Sequence, residues 1–144
     1  MSVVVTARAR RNGIRTVDVR RDALRLLRLL DLQSELSVVL VDDAEMQRLN
    51  AAYRQIDKAT DVLAFAMREG EGAELHPEVL GDVVISLDTA ARQATSRRIL
   101  IADELRMLLT HGVLHLLGYD HERSPAEARR MFRKQRELIA ALHR

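Results

Sequence analysis

Three histidines fall within one short run, His111-Gly-Val-Leu-His115-Leu-Leu-Gly118-Tyr-Asp-His121, at spacings that could bring all three side chains to one ion. His111 and His115 are four residues apart, which on an α-helix places both on one face, about 5–6 Å apart at Cβ. Gly118 follows where the apolar run ends, and glycine can take the left-handed conformation that stops a helix and turns the chain back. His121 then completes a triangle. Three neutral imidazoles suit zinc, and a site with three protein ligands leaves the fourth tetrahedral position to water, the catalytic rather than the structural arrangement. Water held there titrates near neutrality, so hydroxide becomes available as a nucleophile. Two histidines at this spacing would by themselves be ordinary helix residues; the third, with its glycine, is what favours a metal site.

The spacing H-x-x-x-H-x-x-G-x-x-H resembles that of the metzincin metalloproteases, whose second position is the glutamate that acts as general base. In this chain that position is Gly112. Peptide hydrolysis loses its proton shuttle without that carboxylate, so the same metal geometry points to another reaction. The whole run resembles the H-G-x-L-H-L-x-G-Y-D-H signature of the bacterial YbeY family, rRNA-maturation endoribonucleases, and matches it at every fixed position. Leu49-Asn50-Ala-Ala-Tyr53-Arg54-Gln-Ile-Asp57-Lys58-Ala-Thr60-Asp61-Val62-Leu63-Ala64-Phe65-Ala66 is similar to the family's L-N-x-x-Y-R-x-x-D-x-P-T-D-V-L-S-F-P block. Leu80-Gly81-Asp82-Val83-Val84-Ile85 is similar to its L-G-D-[IV]-x-I strand. The resemblance spans roughly residues 35 to 140, with departures at Ala59 and Ala66 for proline and at Ala64 for serine.

The chain has 144 residues, enough for one domain with a single core. It has no cysteine, so neither a disulfide nor a thiolate zinc site is possible, which accords with a reducing cytosol. Its apolar runs, such as Leu26-Leu27 and Leu29-Leu30 broken by Arg28, fall far short of the roughly 20 residues of a membrane span. Met1-Ser2-Val3-Val4-Val5 runs into arginines without a cleavage region, so no secretory signal is expected. A net charge of +2 does not by itself argue for nucleic acid. The positive charge is nearly all arginine, clustered at Arg8, Arg10, Arg11 and Arg15, at Arg20 and Arg21, at Arg97 and Arg98, and at Arg129, Arg130, Arg133 and Arg136. Such clusters bind phosphate where they face a cleft, and are solvated helix faces where they do not.

The expected order of elements is strand, helix, strand, helix, two strands and three helices. Val3-Val4-Val5 and Ser37–Val41 read as short strands. Asp22 to Leu32 reads as an amphipathic helix with its arginines facing water. Asn12-Gly13 is a turn signal, and Asp42 with Glu45 is a capping-box pattern for a helix through Asn50. Val62 to Ala66 and Asp82 to Leu87 are two more strands, flanking a glycine- and glutamate-rich connection, Arg68 to Pro77, read as a mobile loop that carries His76. A helix from Asp88 to about Arg97 precedes the metal helix, about Ile101 to Leu117, whose Leu105, Leu108, Leu109, Val113 and Leu116 mark it as buried and central. Ser124-Pro125-Ala-Glu127 starts the last helix, with Met131, Phe132, Leu138 and Leu142 as its core residues. The expected architecture is α+β, a single domain over residues 1–144 with a small mixed four-stranded sheet backed by about five helices. The family resemblance implies the same.

Under the resemblance, His111, His115 and His121 hold one zinc ion, and Arg54 lines the same cavity as the cation that meets charge developing on a phosphoryl oxygen. From the residues alone Arg54 is a surface arginine. Lys58 is a second candidate substrate contact, with an exposed surface role as the plainer alternative. Thr60 and Asp61 read as the start of the next strand, satisfying loop amides, and Asp120 or Glu122 could orient an imidazole or move a proton. The implied activity is a zinc-dependent, single-strand-specific endoribonuclease of ribosomal RNA (16S 3′-end) maturation and ribosome quality control. The implied location is the cytoplasm and the implied partners are RNA and the ribosome or its proteins, with an assembly GTPase as a candidate recruiter. A zinc hydrolase of another substrate, such as a peptide, and a non-catalytic ribosome-assembly factor whose zinc braces the helix end are the competing functions.

Overall fold

In Glu35–Val41 both sides of the strand are apolar: Leu36, Val38 and Leu40 point one way, Val39 and Val41 the other. A strand of that kind belongs in the middle of a sheet covered on both faces. The computed structural model describes residues 1–10, 13–66 and 78–143 and places it there. The elements are β1 (Ser2–Ala7), α1 (Thr16–Leu29), β2 (Glu35–Val41), α2 (Asp43–Arg54), β3 (Val62–Ala66), β4 (Val79–Ser86), α3 (Leu87–Arg97), α4 (Ile101–Leu116) and α5 (Pro125–Leu142). The sheet order is β1-β2-β4-β3, with β1, β2 and β4 parallel and β3 antiparallel to β4. Among the described residues the fold is thus α+β with one mixed four-stranded sheet and five helices, as expected. Asn12 of the expected turn and the connection 68–77 with His76 lie outside the described residues.

Helices divide unequally between the two faces. Leu36, Val38, Leu40, Val83 and Ile85 meet Leu26 and Leu27 of α1, Leu109, Val113 and Leu114 of α4, and Met131 and Leu138 of α5 in the principal core. On the opposite face α2 seats Met46 against Val41, Leu63 and Val84. Asp42 accepts the amide of Glu45 at 2.8 Å, the expected cap, but the Glu45 carboxylate turns to Arg8 instead of closing the box. Asp43, first in α2, accepts hydrogen bonds from Ser86 Oγ at 2.6 Å and Thr89 Oγ1 at 2.7 Å and pairs with Arg92, tying α2 to the start of α3. Burial pushes the Asp43 carboxyl up, and these donors together hold it below its ordinary value.

Helix α1 departs from expectation at its start and in its charges. It begins at Thr16, not Asp22, and Arg15 at its N-cap makes no side-chain cap. Its arginines do not all face water. Arg20 Nε donates to the Val3 carbonyl at 3.0 Å, and Arg25 donates to the carbonyls of Leu142 and Ala141 at 2.7 and 3.1 Å. Arg25 thereby satisfies carbonyls that the end of α5 leaves unpaired.

At the α3–α4 elbow, Arg97 Nη1 donates to both oxygens of Glu104, at 2.8 and 2.9 Å. The Glu104 side chain is 0% exposed and that of Arg97 is 49% exposed. A buried carboxylate stripped of its cation keeps its desolvation cost and loses the compensating attraction. Arg97→Met is therefore expected to lower stability by roughly 2 kcal/mol in urea denaturation, while Arg97→Met combined with Glu104→Leu recovers most of the loss. Equal loss in the single and double substitutions would show that packing, not the charge pair, sets the elbow.

Candidate metal centre

Helix α4 turns its leucines to the core, which leaves His111 and His115 together on its flank, neither fully buried nor exposed. Their ring centroids are 4.6 Å apart and their Nε2 atoms 3.1 Å apart. Two ligands on a tetrahedral zinc stand about 3.3 Å apart, given Zn–N bonds of about 2.0–2.1 Å. The helix then ends as the glycine predicted. Gly118, at φ 97°, donates to the His115 carbonyl at 3.0 Å and Tyr119 donates to that of Leu114 at 3.1 Å. These are the paired bonds of a Schellman motif, which reverses the chain and satisfies carbonyls at the helix end. His121 returns with its ring 5.1 Å from His111 and 5.3 Å from His115. One nitrogen from each ring lies within 4.8 Å of the others.

Neighbouring groups fix how the rings present their lone pairs. Gln135 Oε1, on α5, lies 2.8 Å from His111 Nδ1. An amide oxygen only accepts, so the proton sits on Nδ1 and Nε2 faces the centre as a free donor of electrons. His121 Nδ1 is buried and has no hydrogen-bond partner among the described residues. A buried imidazole nitrogen without a partner is costly in an apolar setting and is satisfied by a cation, so the donor set fits a divalent metal with affinity for imidazole. Burial pushes His111 and His115 below the ordinary 6.5, and mutual repulsion among the imidazoles adds to it. Gln135 and Asp61 oppose the shift at His111, and Asp120 and the Tyr119 backbone oppose it at His115. Both rings are thus disposed to be neutral at pH 7, the ligating form.

The three rings open on a cavity of about 640 Å³. Arg54, the last residue of α2, lies on its wall with Asp61 and with Ala64 and Ala66 of β3, so two of the departures from the family pattern face this cavity. Lys58 is exposed and is not among the wall residues; its carbonyl accepts from Asn50 Nδ2 at 2.9 Å. Asp61 Oδ1 accepts the Val62 amide at 2.8 Å, the strand-starting role expected of it. Asp120 Oδ1 accepts the Glu122 amide at 2.8 Å and so shapes the turn, while Glu122 is 3.8 Å from His121 Nε2. The group that orients an imidazole is Gln135, which has no motif spacing to betray it. Phe132 corrects the expectation of a core residue: Met131 is 0% exposed but Phe132 is 39% exposed and lies on the cavity wall. Adjacent helix residues point about 100° apart, so both could not face the same core.

The setting of Gly112 explains why no glutamate stands between His111 and His115. A Cβ there would come within 2.7 Å of Val83 Cγ1 and 3.3 Å of Val62 Cγ2, so at this residue the helix rests on the sheet through its backbone. Gly112→Ala is expected to cost about 1–3 kcal/mol and to weaken metal affinity, because α4 can make room only by carrying His111 and His115 away from His121. Unchanged zinc affinity by competition titration would show that the strands, not the helix, give way.

The lowered imidazoles also fix the sign of a pH dependence. A base that holds its proton less readily when folded contributes full stability above its unfolded pKa and loses it as pH falls toward the folded value. The urea midpoint of the metal-free protein is therefore expected to drop from about pH 7.5 to about pH 5.5, and to drop less in His111→Asn/His115→Asn. Parallel profiles for the two proteins would remove these rings as the source.

The family model described as Endoribonuclease YbeY matches residues 7–143. A curated Endoribonuclease YbeY of Geobacter metallireducens is 49% identical over 146 aligned residues, covering 100% of this chain and 97% of the relative. One from Syntrophotalea carbinolica is 56% identical over 110 residues, 76% of this chain and 73% of the relative. A solution structure of a Thermotoga maritima protein superposes with a TM-score of 0.65 at 23% identity, over 96% of this chain and 89% of that one, which supports the fold. With the motif histidines, Arg54 and Asp61 gathered at one cavity and the similarity running almost end to end, the chain belongs to the Endoribonuclease YbeY family.

Proposed function

We propose that this protein is a zinc-dependent endoribonuclease that cleaves single-stranded RNA, with His111, His115 and His121 as the metal ligands and Arg54 as the catalytic cation. The observation that carries the reading is three half-buried imidazoles, one held in its ligating tautomer by Gln135, opening on the cavity that Arg54 reaches. The name of the relatives, endoribonuclease, supplies the substrate class. A bound divalent cation supplies Lewis-acid polarisation of a phosphoryl oxygen and acidifies water. The chain's residues do the rest. Arg54 has no ion pair among the described residues, so its planar fork is free to take the non-bridging phosphoryl oxygens as charge builds on them. Asp61 and Asp120 each accept a backbone amide, which fixes where these two wall carboxylates stand. Lys58, exposed beyond the wall, is a contact for RNA outside the cavity.

The wider setting proposed is the one the motif resemblance implies: 16S ribosomal RNA 3′-end maturation and ribosome quality control in the cytoplasm, with the ribosome or its proteins as partners and an assembly GTPase as recruiter. No helix among the described residues is long and apolar enough to cross a membrane. Peptide hydrolysis is disfavoured by Gly112, where the strands leave no room for a general base. Purified protein assayed on a defined single-stranded RNA tests the proposal. His115→Ala is expected to lose zinc and cleavage together, and a chelator to abolish cleavage reversibly. Arg54→Glu should retain zinc while kcat falls by about a hundredfold or more. Cleavage that survives metal removal would end the zinc assignment, and undiminished turnover in Arg54→Glu would remove that residue from the chemistry.

A further inference from the structure

Phe132 is an exposed aromatic ring beside the histidines, and it stands where two kinds of side chain meet on α5. Its centroid lies 6.3 Å from that of His111, with the ring planes 25° apart, and 5.8 Å from that of His121. At about 100° per residue, Gln135 projects to one side of it, toward His111, and Arg129, Arg133 and Arg136 to the other. All three arginines are exposed and none has an ion pair among the described residues, whereas Arg123, earlier on the same side of the cavity, is taken by Asp120 and Glu127. A planar apolar ring at the cavity, continued by uncommitted guanidinium groups, matches the alternation of base and phosphate along a single strand. A phosphate seated at the metal centre puts its neighbouring base within reach of that ring, and the following phosphates along the arginines.

Resting on the function proposed above, we propose that Phe132 is a base-stacking platform and that Arg129, Arg133 and Arg136 carry the RNA backbone out of the cavity along α5. The platform recognises any base, since every base has a π face, and it selects unpaired strands because a base in a duplex is already stacked.

The chain has no tryptophan, so Phe132→Trp places one fluorophore at the platform. With full-length, metal-loaded protein, an oligoadenylate carrying 2′-O-methyl groups is expected to quench its fluorescence, and an abasic oligomer of equal charge or polyglutamate is not. In the cleavage assay Phe132→Leu, which keeps apolar bulk but no π face, should raise KM by about tenfold with kcat and zinc content near those of the parent protein. Arg133→Glu/Arg136→Glu should weaken oligonucleotide binding and reduce the slope of log affinity against log salt by about 0.7 per lost phosphate contact. Equal quenching by the abasic oligomer or by polyglutamate, an unchanged KM in Phe132→Leu, or an unaltered salt slope would overturn the proposal. Quenching by oligoadenylate in a protein that cleaves no RNA would instead count against the nuclease function and leave the platform standing.

Discussion

A helix that must hold two imidazoles over a cavity and at the same time bury its leucines has one rotation about its axis that satisfies both. Gly112 sets it. With no side chain between α4 and the Val83 and Val62 methyls, the helix backbone settles onto β3 and β4, and the flanking His111 and His115 are brought to the height of the cavity floor. The buried neighbours lock that rotation, since turning the helix by one residue, about 100°, would put His111 where Thr110 or Gly112 now stands, both of them buried. Burying a leucine or valine contributes about 1.5–3 kcal/mol, so the core can hold rings that repel one another when charged. The placing of these two imidazoles is a consequence of packing.

The third imidazole depends on a different kind of constraint. His121 is brought back by a turn whose two hydrogen bonds involve only backbone, and the left-handed Gly118 is what lets them form. Asp120 then accepts the amide of Glu122 and tightens the same turn. Helix α5 supplies Gln135 from the far side of the cavity, and Arg25 of α1 holds the carbonyls at the end of α5. The group that sets one imidazole's tautomer thus stands on α5, whose end Arg25 ties to α1, a helix with no residue on the cavity wall.

Those contacts mark the boundary of what could be read from the chain. The strands, the metal helix, its glycine stop and the Ser124 cap were legible because each rests on local chemistry within a few residues, and Ser124 does accept the Glu127 amide at 3.1 Å. The start of α1 was not, because Arg15 offers no capping oxygen and nothing in the side chains announces the first turn. The three histidines came from spacing; Gln135, 24 residues from its partner, has none. Phe132 was misplaced because apolar character alone does not say on which side of Met131 a helix carries its neighbour. The Arg97–Glu104 pair was hidden for a related reason: a carboxylate in the first turn of a helix ordinarily faces water, and only the elbow between α3 and α4 encloses it.

Arginine in this protein has two separable uses, and separating them gives more than the net charge of +2. Arg25, Arg97 and Arg106 are structural: one closes a helix end, one neutralises a buried glutamate, and one joins Asp22 to Asp103 across α1 and α4. Arg97 and Arg106 face carboxylates, whose charge offsets theirs in the field met by an approaching polyanion, whereas Arg25 faces neutral carbonyls and keeps its charge. Arg54 on one wall and Arg129, Arg133 and Arg136 along α5 have no such partner among the described residues. Uncommitted guanidinium groups retain full hydration and full charge, and both are exchanged when phosphate binds and counterions leave. A chain whose charges nearly cancel in sum can therefore still present RNA with unpaired positive charge at Arg54 and along α5, because carboxylates elsewhere, Glu104, Asp22 and Asp103 among them, are paired with arginines of their own.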